Sequence, residues 1–133
     1  MNTLDQLVYC SRSQLAPDEE AAAMADIVHV AAFLNARNGI TGALTLQDGV
    51  FVQCLEGSPT ALDILMLPLH FDERHEAIEI VARGRIERRA FPAWGMTAPT
   101  LGRCDALSRL IARRSDDLIA WREAMGALLT EPA

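Results

Sequence analysis

The pair Asp48-Gly49 lies between two short apolar runs, and it is the feature that most constrains the fold of this chain. The runs cover residues 44–46 and 50–55. An Asp-Gly pair between two such runs is the strongest short-range signal for a β-hairpin. The sequence therefore predicts two antiparallel strands joined by a tight turn.

The second strand of this hairpin is apolar on both of its faces. Side chains alternate along a strand, so the odd-numbered residues 51–55 project to one side and the even-numbered residues 50–54 to the other. A strand of this kind is typical of a central position that is covered on both sides. Gln53 then places a primary amide among hydrophobic neighbours, and an unpaired buried amide costs about 1–3 kcal/mol. Its partner is either another core group or a bound molecule.

Composition and charge indicate one soluble domain. The chain has 133 residues, half of them hydrophobic. It contains neither the run of about 20 apolar residues that a membrane span needs nor a secretory leader, so we expect a cytoplasmic protein without membrane contact. The net charge of −6 disfavours direct binding to nucleic acid. Arginines cluster over residues 83–89, and we expect them at a solvated strand edge.

The cysteines and histidines do not indicate a metal site. Cys10, Cys54 and Cys104 are odd in number and lack CxxC spacing, so the pattern excludes a disulfide framework and a zinc site, and the three are interpreted as small buried hydrophobes. The three histidines are scattered along the chain. Hydrolase and nucleotide-binding motifs are absent from the sequence. Glu56 lacks a second carboxylate at a useful spacing, which favours a structural role.

The order of predicted elements is β-α-β-β-α-β-β. A strand over residues 4–11 precedes a helix that begins at Asp18 and ends at Gly39. After the hairpin, a second helix begins at Ser58-Pro59 and ends or bends near residue 67, because Pro68 follows. A strand over 77–82, a turn at Gly84 and an irregular strand over 86–96 complete the order. This order is typical of an α+β, ferredoxin-like sheet with both helices on one face.

The remaining residues form two further helices that cover the other face of the sheet. They are predicted over residues 104–113 and 115–129, the second with Ser115 as its N-cap. Both carry an apolar stripe, and the open sheet face is apolar as well. We expect the helices to cover that face, either in the same chain or by exchange with a partner chain. No linker or repeat indicates a second domain.

Three polar side chains fall on the helix-covered face of the predicted sheet: Tyr9, Asn35 and Gln53. Each alone is more often structural than functional. Together they describe a pocket between two helices, lined by small residues such as Ala31, Ala32 and Gly42. An amide both donates and accepts hydrogen bonds, which suits the edge of a fused pyrimidine ring.

At these positions the sequence resembles the BLUF domains, a family of blue-light sensors that use FAD. The resemblance covers residues 4 to about 97, and five motifs carry it: LVYCS, NARNGITGAL, GVFVQCLEG, DERH and RRAFPAWGM. The spacing from Asn35 to Gln53 and the phrase Q-x-L-E-G are specific to this family.

The resemblance implies a photocycle without net chemistry. Light makes the flavin an oxidant, Tyr9 passes it an electron and a proton through Gln53, and the glutamine is left rotated or tautomerised. Met96 and Trp94 would pass the change to the last strand. The resemblance further implies the residues that hold FAD: Asn35 at the ring, Ile27 packed on it, Arg74 and His75 near its pyrimidine edge or side chain, and Arg37 at the phosphates.

We therefore expect a flavin-binding sensor over residues 1–100 and a helical cap over 101–133. It would be a stand-alone receptor rather than an enzyme, since about 35 residues follow the last strand, fewer than a catalytic domain of about 50–200 residues needs. It would form a homodimer through the sheet face or the tail helices and signal by contact with an unknown protein. Two alternatives are a light-insensitive ferredoxin-like regulator that uses the same pocket, and a small flavin enzyme.

Overall fold

The computed structural model describes residues 3–69, 75–91, 95–97 and 105–130. Its helices and strands follow in the order β1(Leu4–Ser13), α1(Glu20–Arg37), β2(Thr41–Gln47), β3(Val50–Gly57), α2(Pro59–Leu69), β4(His75–Ile86), β5(Gly95–Thr97), α3(Asp105–Arg113) and α4(Leu118–Thr130). A short 3-10 turn, Pro17–Glu19, precedes α1. None of the helices in these ranges is long and apolar enough to cross a membrane.

The hairpin predicted from Asp48-Gly49 is confirmed. Strands β2 and β3 pair antiparallel, with Gln47 opposite Val50, so the loop contains only two residues. Asp48 has φ 54° and Gly49 φ 77°. Positive φ at both central residues defines the tight turn whose twist matches that of the flanking strands.

The sheet has the strand order β4-β1-β3-β2-β5. Strands β1 to β4 pair antiparallel, as a ferredoxin-like sheet requires, and β5 adds to the edge of β2 in the parallel direction. The predicted α+β class and the central position of β3 are therefore confirmed. Side chains at odd positions of β3 point to one face, which we name the first face, and those at even positions point to the second face.

Each face of the sheet has its own hydrophobic core. The first-face core contains residues of β1, β2 and β3 together with residues of α1 and α2: Leu7, Tyr9, Met24, Ile40, Leu44, Leu46, Phe51, Leu55, Leu62 and Met66. The second-face core joins the sheet to α3 and α4: Val8, Ala43, Val52, Cys54, Ala82, Phe91, Leu107, Leu110, Trp121, Ala124 and Met125. The C-terminal helices thus cover the second face within the same chain, and exchange with a partner is not needed to bury it.

Local hydrogen bonds fix the helix ends and correct two predicted caps. Helix α1 ends as expected, because Gly39 adopts φ 69° and the Ile40 N–H donates to the Asn35 carbonyl at 2.9 Å. Asp18, the predicted cap of α1, instead lies in the 3-10 turn before it. Asp117, not Ser115, caps α4, since its carboxylate accepts a bond from the Ala120 N–H at 3.2 Å.

Three further boundaries differ from the prediction. Gly84 does not turn the chain, because β4 continues through it to Ile86 and pairs it with Gln6 of β1. A methyl group at Gly84 would lie 3.4 Å from the Leu118 side chain of α4, which is an ordinary van der Waals contact, so the strand does not require glycine there. Helix α2 continues to Leu69, two residues beyond the predicted end. The last strand, predicted over 86–96, is observed only over Gly95–Thr97, and residues 92–94 lie outside the described residues.

The arginine cluster separates into exposed and inward-facing members. Arg83 and Arg85 are exposed on the edge strand β4, as predicted, and Arg83 pairs with Asp5 and Asp63. The same expectation was wrong for Arg89, whose guanidinium donates to Thr41 Oγ1 at 2.8 Å and to two backbone carbonyls. These three hydrogen bonds from a charged guanidinium hold the Arg89 side chain against the protein rather than in solvent.

Cys10 and Cys54 are free thiols on the second face. Cys54 is buried, as predicted, whereas Cys10 is only half-buried, and Cys104 lies outside the described residues. Burial, together with the nearby Glu79 carboxylate, raises the pKa of Cys10 to about 11. Burial also raises the pKa of Cys54. Both thiols are therefore protonated, and unreactive as nucleophiles, at neutral pH.

These raised pKa values predict how the thiols react with iodoacetamide. Because only the thiolate reacts, labelling of Cys10 in the folded protein should rise about tenfold per pH unit through pH ~10. Peptide mass spectrometry at each pH would measure it. In the urea-denatured chain labelling should level off near the ordinary thiol pKa of 9.0. A folded-state profile that levels off at the same pH as the denatured chain would contradict the raised pKa.

Two glycines provide a matched test of the packing. A methyl group at Gly42 would lie 2.3 Å from the Cys54 carbonyl oxygen, whereas one at Gly126 in α4 would meet nothing within 4 Å. Gly42→Ala should therefore lower the free energy of unfolding by about 1–3 kcal/mol, because β2 and β3 must move apart. Gly126→Ala should raise it by about 0.5–1 kcal/mol through helix propensity. Urea denaturation measures both, and equal effects of the two variants would refute this packing.

Candidate functional site

Tyr9 and Gln53 lie directly opposite each other on the first face. Strands β1 and β3 pair antiparallel in a register that sets Tyr9 against Gln53, with Leu7 against Leu55 on one side and Ser11 against Phe51 on the other. Opposed residues of an antiparallel pair have Cβ atoms about 4.5–5.5 Å apart. Tyr9 is 3% exposed and Gln53 4%. A phenol and a carboxamide are thus brought together in the centre of the sheet, away from solvent.

Asn35 adds an amide with an unused donor. It lies in the last turn of α1, where its backbone carbonyl accepts bonds from Asn38 and Ile40 and so closes the helix. Its side chain is only 1% exposed, and its Nδ2 has no hydrogen-bond partner among the residues that the structure describes. A buried donor without a partner costs about 1–3 kcal/mol. The alternative that Asn35 only closes the helix end explains its backbone but not its side chain.

His75 brings an imidazole to the edge of this pair. Its ring centroid is 6.2 Å from that of Tyr9 and 6.0 Å from that of Phe51, the latter edge-on at 89°. Its Nδ1 is hydrogen-bonded to Ser11 Oγ at 2.6 Å. This contact fixes the ring at the start of β4, beside Tyr9.

The other predicted site residues are placed less closely. Ile27 of α1 is half-buried against the first-face core, and Arg37 is exposed in the last turn of α1. Met96 lies in β5, where its backbone is opposite Gly42 of β2. Arg74 and Trp94 lie outside the described residues. The roles of all these residues stay predictions.

The bond between Ser11 and His75 was not predicted from the sequence. The available signal was that Ser11 shares a strand face with Tyr9, two residues earlier.

The predicted lining of the pocket by small residues needs a correction for Gly42. Its missing side chain is explained by the close approach of β3 rather than by a ligand.

Taken together, the first face presents an oxidisable phenol, an amide able to exchange donor and acceptor, a second amide with a free donor, and an imidazole. The phenol and the first amide are in direct cross-strand register. Such a set suits a planar heterocycle with carbonyl and N–H groups on its edge, and it suits movement of one electron and one proton better than hydrolysis.

Residues 4–97 match the family model described as "BLUF: Sensors of blue-light using FAD". This chain belongs to the BLUF family. The match spans all five strands and both helices of the first face. BLUF domains are flavin-binding light sensors.

Relatives and solved structures agree with this assignment. The chain is 36% identical over 100 residues to the photoactivated adenylate cyclase subunit beta of Euglena longa, and 33% identical over 93 residues to the subunit alpha of Euglena gracilis. These alignments span 74% and 70% of this chain, but only 11% and 9% of the two relatives. The dark-state structure of the BLUF protein BlrB matches with a TM-score of 0.79 and 31% identity, over 96% of this chain and 98% of that one.

The described residues fit a flavin ring. Asn35 Nδ2 is a buried donor without a protein partner, and a flavin carries carbonyl acceptors on its pyrimidine edge. Gln53 and Tyr9 lie buried on the same face. That Asn35 and Gln53 hold the ring and that Ile27 packs against it stay predictions.

The unused donor of Asn35 predicts its contribution to flavin affinity. Asn35→Leu should weaken flavin binding on the order of tenfold, the equivalent of one lost hydrogen bond. Titration of the flavin-free protein, followed by flavin fluorescence, measures the affinity. Asn38→Ala, a change at an exposed asparagine just after α1, is the matched control and should bind as the unmodified protein does. Unchanged affinity in Asn35→Leu would remove Asn35 from the site.

Proposed function

We propose that this chain is a blue-light photoreceptor that binds FAD non-covalently and signals by contact with another protein. The observation that supports this most directly is the cross-strand pair of Tyr9 and Gln53, both buried. Family membership supports a flavin sensor, and FAD is the flavin named in the family description. Arg37 is the proposed phosphate contact, and Arg74 and His75 are proposed near the pyrimidine edge or the side chain of FAD.

When bound, the flavin supplies absorption of blue light and an oxidising excited state. Tyr9 is the proposed source of the electron and the proton. A buried phenol keeps its proton at neutral pH, so it releases electron and proton together when a proton acceptor lies alongside. Gln53 is the proposed acceptor, a role supported by its position opposite Tyr9 in the adjacent strand. Tyr9 is the only tyrosine in the chain, so any tyrosine signal can be assigned to it.

Gln53 is the proposed switch. A carboxamide has an acceptor oxygen on one side and a donor NH₂ group on the other, so rotation or tautomerisation exchanges the two. In a buried site each arrangement needs its own partners, which makes the two states discrete and separated in energy. Illumination then shifts the population between two hydrogen-bonding patterns, much as a ligand would.

The proposed output is a change at β5 and beyond. Met96 lies in β5, which pairs with β2, and β2 pairs with β3 opposite Gln53 at Leu44. We propose that Met96 and Trp94 carry the change to the last strand and that a homodimer is the signalling unit. Because the second face is covered in the same chain, a dimer would use the outer surfaces of α3 and α4 rather than the bare sheet.

The photocycle can be tested by removing one hydroxyl group. Protein purified in the dark should be yellow, and blue light should shift its flavin absorption slightly and reversibly. Tyr9→Phe should bind flavin with nearly unchanged affinity and lose the reversible shift completely, because the electron and proton donor is gone. Absorption spectra before, during and after illumination measure this.

Thr45→Val is the matched control for Tyr9→Phe. It also removes a buried hydroxyl group, but on the second face, where Thr45 Oγ1 has no partner among the described residues. This variant should keep the complete light response. A normal light response in Tyr9→Phe would contradict the mechanism, and a colourless protein that ignores added FAD would favour the light-insensitive regulator. Steady oxidation of reduced nicotinamide in the dark would favour the enzyme.

A further inference from the structure

A fully buried carboxylate lies on the second face, three residues after Gln53. Glu56 is 0% exposed, and its two oxygens accept bonds from three donors. Oε1 accepts from the Thr41 hydroxyl at 3.0 Å and from the Phe91 N–H at 3.0 Å, and Oε2 accepts from the Ala90 N–H at 2.6 Å. Isolated buried charges are strongly disfavoured, so these bonds hold the carboxylate in one place.

Two arginines complete what we name the Glu56 cluster: Thr41, Glu56, Arg89, Arg122 and the N–H groups of residues 90 and 91. Arg89 donates to Thr41 Oγ1, to the Glu56 carbonyl at 3.0 Å and to the Gly39 carbonyl at 2.7 Å. Arg122 of α4 brings a guanidinium nitrogen to 4.0 Å from Glu56 Oε2 and donates to the Arg88 carbonyl at 3.1 Å.

This cluster joins four parts of the fold at one point. Glu56 belongs to β3, which carries Gln53, and Thr41 belongs to β2. Residues 87–91 lie between β4 and β5, and Thr41 is also the residue of β2 that pairs with Gly95 at the start of β5. Arg122 belongs to α4, which packs on the second face. A displacement of β3 would reach the segment before β5 through the hydrogen bonds of Glu56 to residues 90 and 91. It would reach α4 through the ion-pair contact of Arg122 with Glu56 at 4.0 Å and the hydrogen bond of Arg122 to the Arg88 carbonyl.

Buried polar atoms without a geometrically good hydrogen bond border the cluster. They are Arg122 Nε and the two polar atoms of the Gln6 carboxamide. Burial raises the pKa of the Cys54 thiol, and the Gln6 side chain lies close enough to that thiol to lower its pKa in part. Gln6 lies directly opposite Glu56 on β1. Groups that lack hydrogen-bond partners in one arrangement of the side chains can gain them in another. Coupling between two sites requires an element with two such discrete arrangements.

We propose that Glu56 is a positioning residue that couples the Gln53 strand to the segment before β5 and, through Arg122, to α4. The inference rests on the proposed function and adds a route on the second face to the one through β5. A change at Gln53 is transmitted along β3 to the Glu56 carboxylate. The contacts of residues 89–91 and of Arg122 then change with it.

Hydrogen exchange measured by mass spectrometry in the dark and under illumination tests this coupling. In the unmodified, flavin-loaded protein, light should change the exchange of α4 amides severalfold, together with the flavin absorption shift. Glu56→Gln keeps the side-chain size but turns one acceptor into a donor that faces a backbone N–H. This variant should keep the flavin absorption shift and lose the light-dependent change in α4.

Arg122→Gln removes only the contacts that Arg122 of α4 makes with Glu56 and the Arg88 carbonyl. Because the Arg122 side chain is partly exposed, this variant still tests the coupling if Glu56→Gln does not fold. It should keep the light-dependent change in residues 87–91 and lose that in α4. Arg114→Gln is the matched control, because Arg114 pairs with Glu79 on the surface, outside the cluster. It should behave as the unmodified protein does in both regions.

The outcomes separate the inference from the function on which it rests. A normal absorption shift with an unchanged α4 response in Glu56→Gln or Arg122→Gln would overturn the inference alone. So would an absorption shift in the unmodified protein without any light-dependent exchange in α4. If the unmodified, flavin-loaded protein shows no absorption shift, the proposed function fails and the inference fails with it.

Discussion

The register between β1 and β3 is the constraint on which the rest of the structure depends. It sets Tyr9 opposite Gln53, and a slip of one residue would move every side chain of one strand to the other face of the sheet. Such a slip of β1 would carry the Tyr9 ring out of the first-face core, where it packs with Leu7 and Phe51, so this packing opposes the slip.

The two faces of the sheet carry different sets of polar groups. The first face holds the phenol, two amides and an imidazole, which are the groups proposed to bind and respond to the flavin. The second face holds α3 and α4 and, at one edge, the buried carboxylate of Glu56. Because successive side chains of β3 point to opposite faces, one strand carries both Gln53, the proposed switch, and Glu56, the residue proposed to transmit its change.

The sequence predicted features that depend on neighbouring residues and missed those that depend on distant ones. The Asp48-Gly49 turn and the helix end at Gly39 follow from local backbone preferences, and both were predicted correctly. The strand through Gly84 depends on its pairing with Gln6 of β1, and the inward turn of Arg89 depends on acceptors at Gly39, Thr41 and Glu56. Tyr9, Asn35 and Gln53 were found because polar residues stand out in apolar patterns, whereas the Glu56 cluster joins segments that no pattern connects.

The central claim is that a buried side-chain amide changes its hydrogen bonds when the protein is illuminated. Light-minus-dark infrared difference spectra of flavin-loaded protein, with and without ¹⁵N in the glutamine side-chain amides, test it most directly. The account predicts light-induced bands in the amide region that shift with the isotope and disappear as the dark state recovers. A reversible flavin absorption change accompanied by no isotope-sensitive band would contradict it.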